Sequence, residues 1–365
     1  MNFFHRIPVM VALAGALAVA PATMRARAPQ PSASNYEAAA RLQVFLDRGN
    51  FSPGKIDGRY GEFTVKALAL YREAHGEVSA TPPPESAKIK SKGTKSEAAP
   101  NVSGLDLASV DPVFKDYTVQ ADDLKSIGPV PSGIPEQAKL KALPYRDAAE
   151  AIAEKFHTDA KFLALLNPGT LKSIKAGDVL HVPNVEPFEL AAVKDLQPGS
   201  EIEGKGANDV DIEPAPKGKR DKGDAKSEAA SAIRVQVDVK ANMLKVFEAE
   251  KLVAAYPVTI GSAQLESPIG DWKVRGIAKM PNFRYDKEML NHGRRSGDFH
   301  LLPPGPNNPV GVMWIQLNKK GIGLHGTNEP ETIGRASSHG CVRLANWDVV
   351  RLAAKIQAGV AVSIR

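Results

Sequence analysis

The chain has 365 residues, of which 43% are hydrophobic, 6% aromatic and 24% charged, with 28 Pro, 30 Gly and a single Cys. That length exceeds one ordinary domain and suggests two or three, with ample material for at least one large core. One cysteine excludes an intramolecular disulfide and a multi-thiolate zinc site. The net charge of +6 admits an anionic partner (nucleic acid, acidic lipid or an anionic polymer) without choosing among them.

Residues 1–22 read as a signal peptide. Arg6 precedes an uncharged run from Ile7 to Ala20, and Ala20-Pro21-Ala22 fits a small-residue cleavage site. The run is 14 residues long, short of the roughly 20 that cross a bilayer. Export with cleavage is therefore expected, with no stable membrane insertion afterwards. Two Pro-, Ser-, Ala- and Lys-rich stretches, within 77–116 and 203–232, lack hydrophobic period and read as linkers. Their basic residues alternate with acids and lack interleaved aromatics, so nucleic-acid binding is not expected.

The first piece, 36–76, is helical. Ala39, Leu42, Phe45 and Leu46, then Val65, Leu68 and Tyr71, recur at helical spacing on either side of a glycine-rich loop. The run Pro53-Gly54-Lys55-Ile56-Asp57-Gly58-Arg59-Tyr60-Gly61, ending at Thr64, resembles the three-helix peptidoglycan-binding module of cell-wall enzymes. The loop glycines equally suit a role that only shapes a turn.

The second piece, 117–185, combines Tyr117-Thr118-Val119, helix faces at Ala148–Phe156 and Phe162–Leu166, and a short strand through Gly177–Pro183. This order is similar to a LysM carbohydrate-binding module, an α+β unit, here with Gly128 to Leu143 inserted.

The third piece, 233–365, is read as mainly β. Ile233, Val235, Val237 and Val239 alternate with polar residues, and Met243–Phe247 and Leu252–Ile260 follow at hairpin spacing, so an antiparallel meander is expected. A Pro- and Asn-rich excursion occupies 279–311, with His292 and His300 read as solvated loop residues. Met313–Leu317 is strand-like, with Trp314 assigned to the core. A helix is expected with Asn346 as its N-cap and Gly359 as its stop, then a strand from Val360 to Ile364.

The chemistry concentrates in Leu324-His325-Gly326-Thr327 and Ser338-His339-Gly340-Cys341-Val342-Arg343. A cysteine near imidazoles and a cation suits nucleophilic acyl transfer. Gly340 permits close backbone approach and N–H groups aimed at a developing oxyanion. An inert buried cysteine is the competing reading. A zinc site from His325, His339 and Cys341 would lack an evident fourth ligand.

The His-Gly-Thr-x-x-Pro and Ser-His-Gly-Cys-x-Arg signatures, with the upstream "LLPPGPNNPVGVMWIQL" segment, resemble the L,D-transpeptidase catalytic domain of YkuD type, a β-sandwich fold. Ser267-Pro268-Ile269-Gly270 departs mildly from that family's Thr-Pro-x-Gly turn. The resemblance implies Cys341 as nucleophile and His325 as base, with Ser338, His339 and Gly340 shaping the oxyanion loop. Arg343, Gly326 and Thr327 would contact substrate. It further implies a peptidoglycan tetrapeptide stem as acyl donor, D-alanine as leaving group and an amine as acceptor, with no cofactor and no metal. Water as acceptor would make the protein an L,D-carboxypeptidase. A periplasmic or cell-wall location follows from the same reading. The positive charge fits it, since 233–365 holds 18 Lys+Arg against 11 Asp+Glu and suits an anionic wall polymer.

Overall fold

The computed structural model describes residues 34–77, 99–194, 233–261, 269–292, 294, 296–319, 321–335 and 340–365. The expected signal peptide, most of both expected linkers and the Ser267-Pro268 turn lie outside them. Residues 34–365 fall in one compact unit.

Two helices, α1 (Ser34–Arg48) and α2 (Glu62–Ala74), open it. A small two-stranded sheet pairs β1 (Phe114–Thr118) antiparallel with β2 (Val179–Pro183). Between those strands lie α3 (Ile134–Gln137), α4 (Ala148–Lys155) and α5 (Ala160–Leu166). Asp147 and Asp159 cap α4 and α5 by accepting hydrogen bonds from their first-turn N–H groups.

The rest is built on an eight-stranded sheet. Its members are β3 (Ile233–Asp238), β4 (Met243–Glu248), β5 (Lys251–Pro257), β6 (Gly270–Lys279), β9 (Met313–Leu317), β10 (Gly323–His325), β11 (Val342–Arg343) and β12 (Ala361–Ile364). They stand in the order β11-β10-β9-β6-β12-β3-β4-β5. The expected β3-β4-β5 meander is present and antiparallel. The β10–β11 and β12–β3 pairs are parallel. All five residues of β9 are buried, the pattern of a central strand covered on both faces. The amphipathic helix α7 (Asn346–Lys355) covers the sheet with Trp347, Val349, Leu352 and Ala353. The excursion holds more order than its sequence suggests, since β7 (Phe283–Tyr285) and β8 (His300–Leu302) pair around α6 (Lys287–His292).

Several expectations need correction. The stretch 77–116 is not linker throughout, because Val110 and Val113 are buried in the core of the middle piece and β1 begins at Phe114. The core of the middle piece has Val185 as its last buried member, and the next buried apolar residues, Phe188 and Val193, join the core of the large sheet. Asn346 is the first helical residue of α7 and Ala345 its N-cap, because the Asn346 side chain is used elsewhere. The helix ends at Lys355, and Gly359 (φ +91°) instead makes the turn into β12.

The three pieces share their cores. On α1, Ala40 and Val44 pack with Phe156, Phe162 and Leu163 of the middle piece. Leu42 and Leu46, on another face, pack with Met243, Phe247, Leu252 and Ala255 of the large sheet. Full burial of a Leu, Phe or Met side chain contributes about 1.5–3 kcal/mol. The glycine-rich loop stitches the same elements together through backbone hydrogen bonds. Ser52 N–H donates to Ala255 O at 2.8 Å, and Ile56 N–H donates to His157 O at 2.8 Å. Gly58 has φ +69°, and a Cβ there would lie 2.7 Å from the Phe162 ring, so this motif glycine is required for packing. The Gly128–Leu143 insertion reaches the excursion, with Leu143 N–H donating to Pro304 O at 2.9 Å.

Candidate active site

Strands β10 and β11 run parallel, with Leu324 opposite Val342 and His325 opposite Arg343. This register sets His325 at the end of one strand and Cys341 immediately before the start of its neighbour. His325 is 5% exposed and stacks on Trp314 of β9, with ring centroids 5.2 Å apart and planes 18° from parallel. Gly323 makes room for that indole, since a Cβ there would lie 2.7 Å from it.

The His325 Nδ1 lies 2.6 Å from the Gly326 carbonyl oxygen. A carbonyl only accepts, so Nδ1 carries the proton and Nε2 holds the free lone pair. Gly326 is itself confined. A Cβ on it would lie 2.2 Å from Asn346 Oδ1, and one on Gly311 (φ +64°) would lie 2.1 Å from the same atom. Asn346 Oδ1 accepts from Val312 N–H at 3.2 Å, so the residue that opens α7 clamps the turn after His325.

Cys341 is partly exposed as a residue, while protein surrounds its sulfur. The thiol donates to Gly321 O at 3.5 Å, and Phe283, Ala278, Val310 and Trp314 form an apolar cluster with it. Burial pushes the thiol up to about 11, against a lowering influence from the Gly323 N–H. Burial pushes His325 down to about 4, the Gly326 bond opposing and the Arg343 charge assisting. At neutral pH the two groups therefore rest as thiol and neutral imidazole, not as an ion pair.

Gly340 adopts φ +105°, a conformation that favours glycine, directly before the cysteine. Arg343 is anchored by its backbone, which exchanges two 2.9 Å hydrogen bonds with Thr259. Burial lowers its pKa, with Glu329 opposing. Thr327 is 1% exposed and its Oγ1 accepts from Glu329 N–H at 3.2 Å, so its hydroxyl organises the loop. Ser338 and His339 lie outside the described residues. His292 is exposed beside Glu288 on α6, 3.1 Å from its carboxylate, and His300 sits on β8. Among the described residues no group of three or more His, Cys, Asp or Glu converges as a metal site would.

Sequence reasoning placed Trp314 in the core but missed its stack on His325. It also missed Gly321, Gly323 and the Asn346 clamp. The Gly321-x-Gly323 spacing ahead of His325 was the available signal for the first two.

Residues 232–364 match the model of the YkuD family, described as the L,D-transpeptidase catalytic domain. A putative L,D-transpeptidase YkuD of Bacillus licheniformis is 31% identical over 131 residues, covering 36% of this chain and 64% of that protein. The chain thus spans under two thirds of that relative's length. The putative L,D-transpeptidase YqjB of Bacillus subtilis is 33% identical over 135 residues, covering 36% of this chain and 69% of that protein. Among solved structures, an L,D-transpeptidase from Mycobacterium smegmatis is similar at 16% identity and a TM-score of 0.30, covering 37% of this chain and 58% of that one.

Proposed function

The chain belongs to the L,D-transpeptidase family, and from that membership we propose that it transfers an acyl group from a peptidoglycan tetrapeptide stem through Cys341. The observation that carries the reading is the pairing of β10 with β11. It sets His325, with a free Nε2, and Cys341, the only thiol of the chain, on adjacent strands about two positions apart in register, both packed against Trp314.

In this mechanism Nε2 of His325 takes the thiol proton as the sulfur attacks the carbonyl of the stem's L-centre. The order matters, because burial disfavours a thiolate formed in advance. Backbone N–H groups around Gly340 and Cys341, in the loop with Ser338 and His339, stabilise the oxyanion. The resulting imidazolium protonates the departing amine of D-alanine and leaves a thioester on Cys341. An acceptor amine then loses its proton to His325 and attacks the thioester, forming the new amide and restoring the thiol. Arg343 and the Gly326–Thr327 turn border the substrate. Residues 36–76 and 117–185 hold the wall polymer, as peptidoglycan-binding and LysM-like modules, and the protein acts in the periplasm or wall after export.

Incubation of the full chain with disaccharide-tetrapeptides, followed by mass, tests the reading. Cross-linked dimers and an acyl adduct on Cys341 are expected. Tripeptide monomers would instead identify hydrolysis. Unchanged substrate with no adduct would overturn the enzyme reading.

A further inference from the structure

A cavity of about 450 Å³ opens where the three pieces of the chain meet. Tyr36, Phe162 and the 40%-exposed Leu165 give it an apolar wall, and Arg59, Lys161 and Arg335 border it. Each cation comes from a different piece: the glycine-rich loop, the start of α5 and the segment leading to Cys341. Its size falls within the range of about 300–1,000 Å³ usual for ligand pockets.

The acids beside it are already engaged. Asp57 Oδ1 accepts from Gln43 Nε2 at 2.9 Å and from Arg59 N–H at 3.0 Å. Asp159 Oδ2 accepts from Lys55 Nζ at 2.6 Å, and its Oδ1 accepts from the N–H groups of Lys161 and Phe162 at 2.8 and 3.3 Å. Among the described residues, Arg59, Lys161 and Arg335 form no ion pair with an acidic side chain. Lys55 offsets Asp159, and Arg59, Lys161 and Arg335 outnumber Asp57, so four cations against two carboxylates leave the lining with a net charge of +2 beside its apolar wall.

Lys55, Asp159, Lys161 and Arg335 also line a neighbouring cavity of about 660 Å³ that runs to Thr327, in the turn after His325. Arg335 precedes Cys341 by six residues. Six residues span at most about 20 Å, roughly the length of an extended five-residue peptide.

We propose that the Arg59–Lys161–Arg335 cavity is a binding site for the carboxylate of a short peptide, filled by the stem of a second wall strand while Cys341 handles the first. Guanidinium and ammonium groups hydrogen-bond the carboxylate, and Tyr36, Phe162 and Leu165 cover the aliphatic part of the stem. The identity of the peptide rests on the proposed function. The existence of a carboxylate site does not.

Equilibrium binding of disaccharide-tetrapeptide to the full-length Cys341→Ala protein tests this without turnover. Arg59→Glu and Lys161→Glu are each expected to weaken binding at least about tenfold, the worth of one charge-assisted hydrogen bond. Lys161→Arg retains affinity, which separates loss of charge from loss of fold, and a ligand with amidated carboxylates loses the same factor. Wild-type affinity in both glutamate variants, equal binding of the amidated ligand, or no binding at all would overturn the site. An unrelated acidic peptide that binds as tightly would overturn its assignment to the wall stem. Failure of the proposed function is read separately, as absence of an acyl adduct on Cys341 in the unsubstituted protein.

Discussion

The two carboxylate oxygens of Asp47 accept two hydrogen bonds from the Arg351 guanidinium, at 2.9 and 3.0 Å, across 304 residues of sequence. His157 Nδ1 lies 2.9 and 3.0 Å from the same two oxygens, and its ring stacks on Trp347 at 5.2 Å. One residue comes from each piece of the chain: Asp47 from α1, His157 from the turn just after α4, Arg351 from α7. Burial would raise the Asp47 pKa, but the charges and hydrogen bonds of His157 and Arg351 outweigh it and hold the carboxyl well below the usual range.

Replacing Asp47 by Ala leaves Arg351 and His157 without their shared acceptor in a site only 1% exposed at Asp47. Breaking a buried pair from one side costs about 3–5 kcal/mol. Chemical denaturation of the full chain should show a loss of that order, and an unchanged midpoint would refute the role given to this junction.

The reactivity of Cys341 should follow its raised pKa. With the thiol pushed up to about 11, alkylation by iodoacetamide should rise close to tenfold per pH unit between pH 7 and 9, without levelling off. Mass spectrometry of the single adduct gives the rate. A plateau below pH 8 would mean that the thiolate is formed in the resting protein.

Gly326→Ala drives a Cβ to 2.2 Å from Asn346 Oδ1. Relief requires moving either the clamp or the carbonyl that holds His325 Nδ1. A misplacement near 1 Å at a reacting group can cost about 10²-fold in rate. Thioester formation on Cys341 should fall by that order, and a rate within threefold of the original would show that the clamp does not position His325.

Glu154 on α4 is 9% exposed, and burial raises its pKa to about 8, with hydrogen bonds from Tyr145 and Asn346 opposing. The folded state therefore binds this proton up to about pH 8, whereas the unfolded chain releases it near the ordinary glutamate value of about 4.3. Its contribution is fully present below that lower value and is lost as pH rises through 8. Glu154→Gln should match the original protein near pH 4 and exceed its Tm at pH 8.5 by about 3 °C or more. Equal Tm values at pH 8.5 would show that Glu154 ionises freely in the fold.

Much of this arrangement is legible in the residues themselves. Alternation at Ile233–Val239 and the apolar run Met313–Leu317 mark β3 and β9, because strand burial writes itself into a period of two or an unbroken run. The motifs also single out His325 and Cys341, but not the Trp314 ring against which both pack. The role of Asn346 is not legible in this way, because an asparagine opening a helix looks the same whether it caps the helix or reaches elsewhere. Only the approach of Val312 shows that its Oδ1 is already taken. The apolar residues of α1 declare a helix, but not that Ala40 and Val44 face one piece while Leu42 and Leu46 face another. Local pattern reports that a surface is buried, and tertiary contact alone reports against what.

Gly334 (φ +71°) lies directly under the ring of Phe63, where a Cβ would come within 2.2 Å of the aromatic carbon. Phe63 belongs to α2, and Gly334 to the segment that leads to the cysteine. The first helices are thus keyed into the stretch of chain that runs on to Cys341. With the ring filling the space a side chain would need, α2 and that stretch fit as tenon and mortise, and a shift of one is carried to the other.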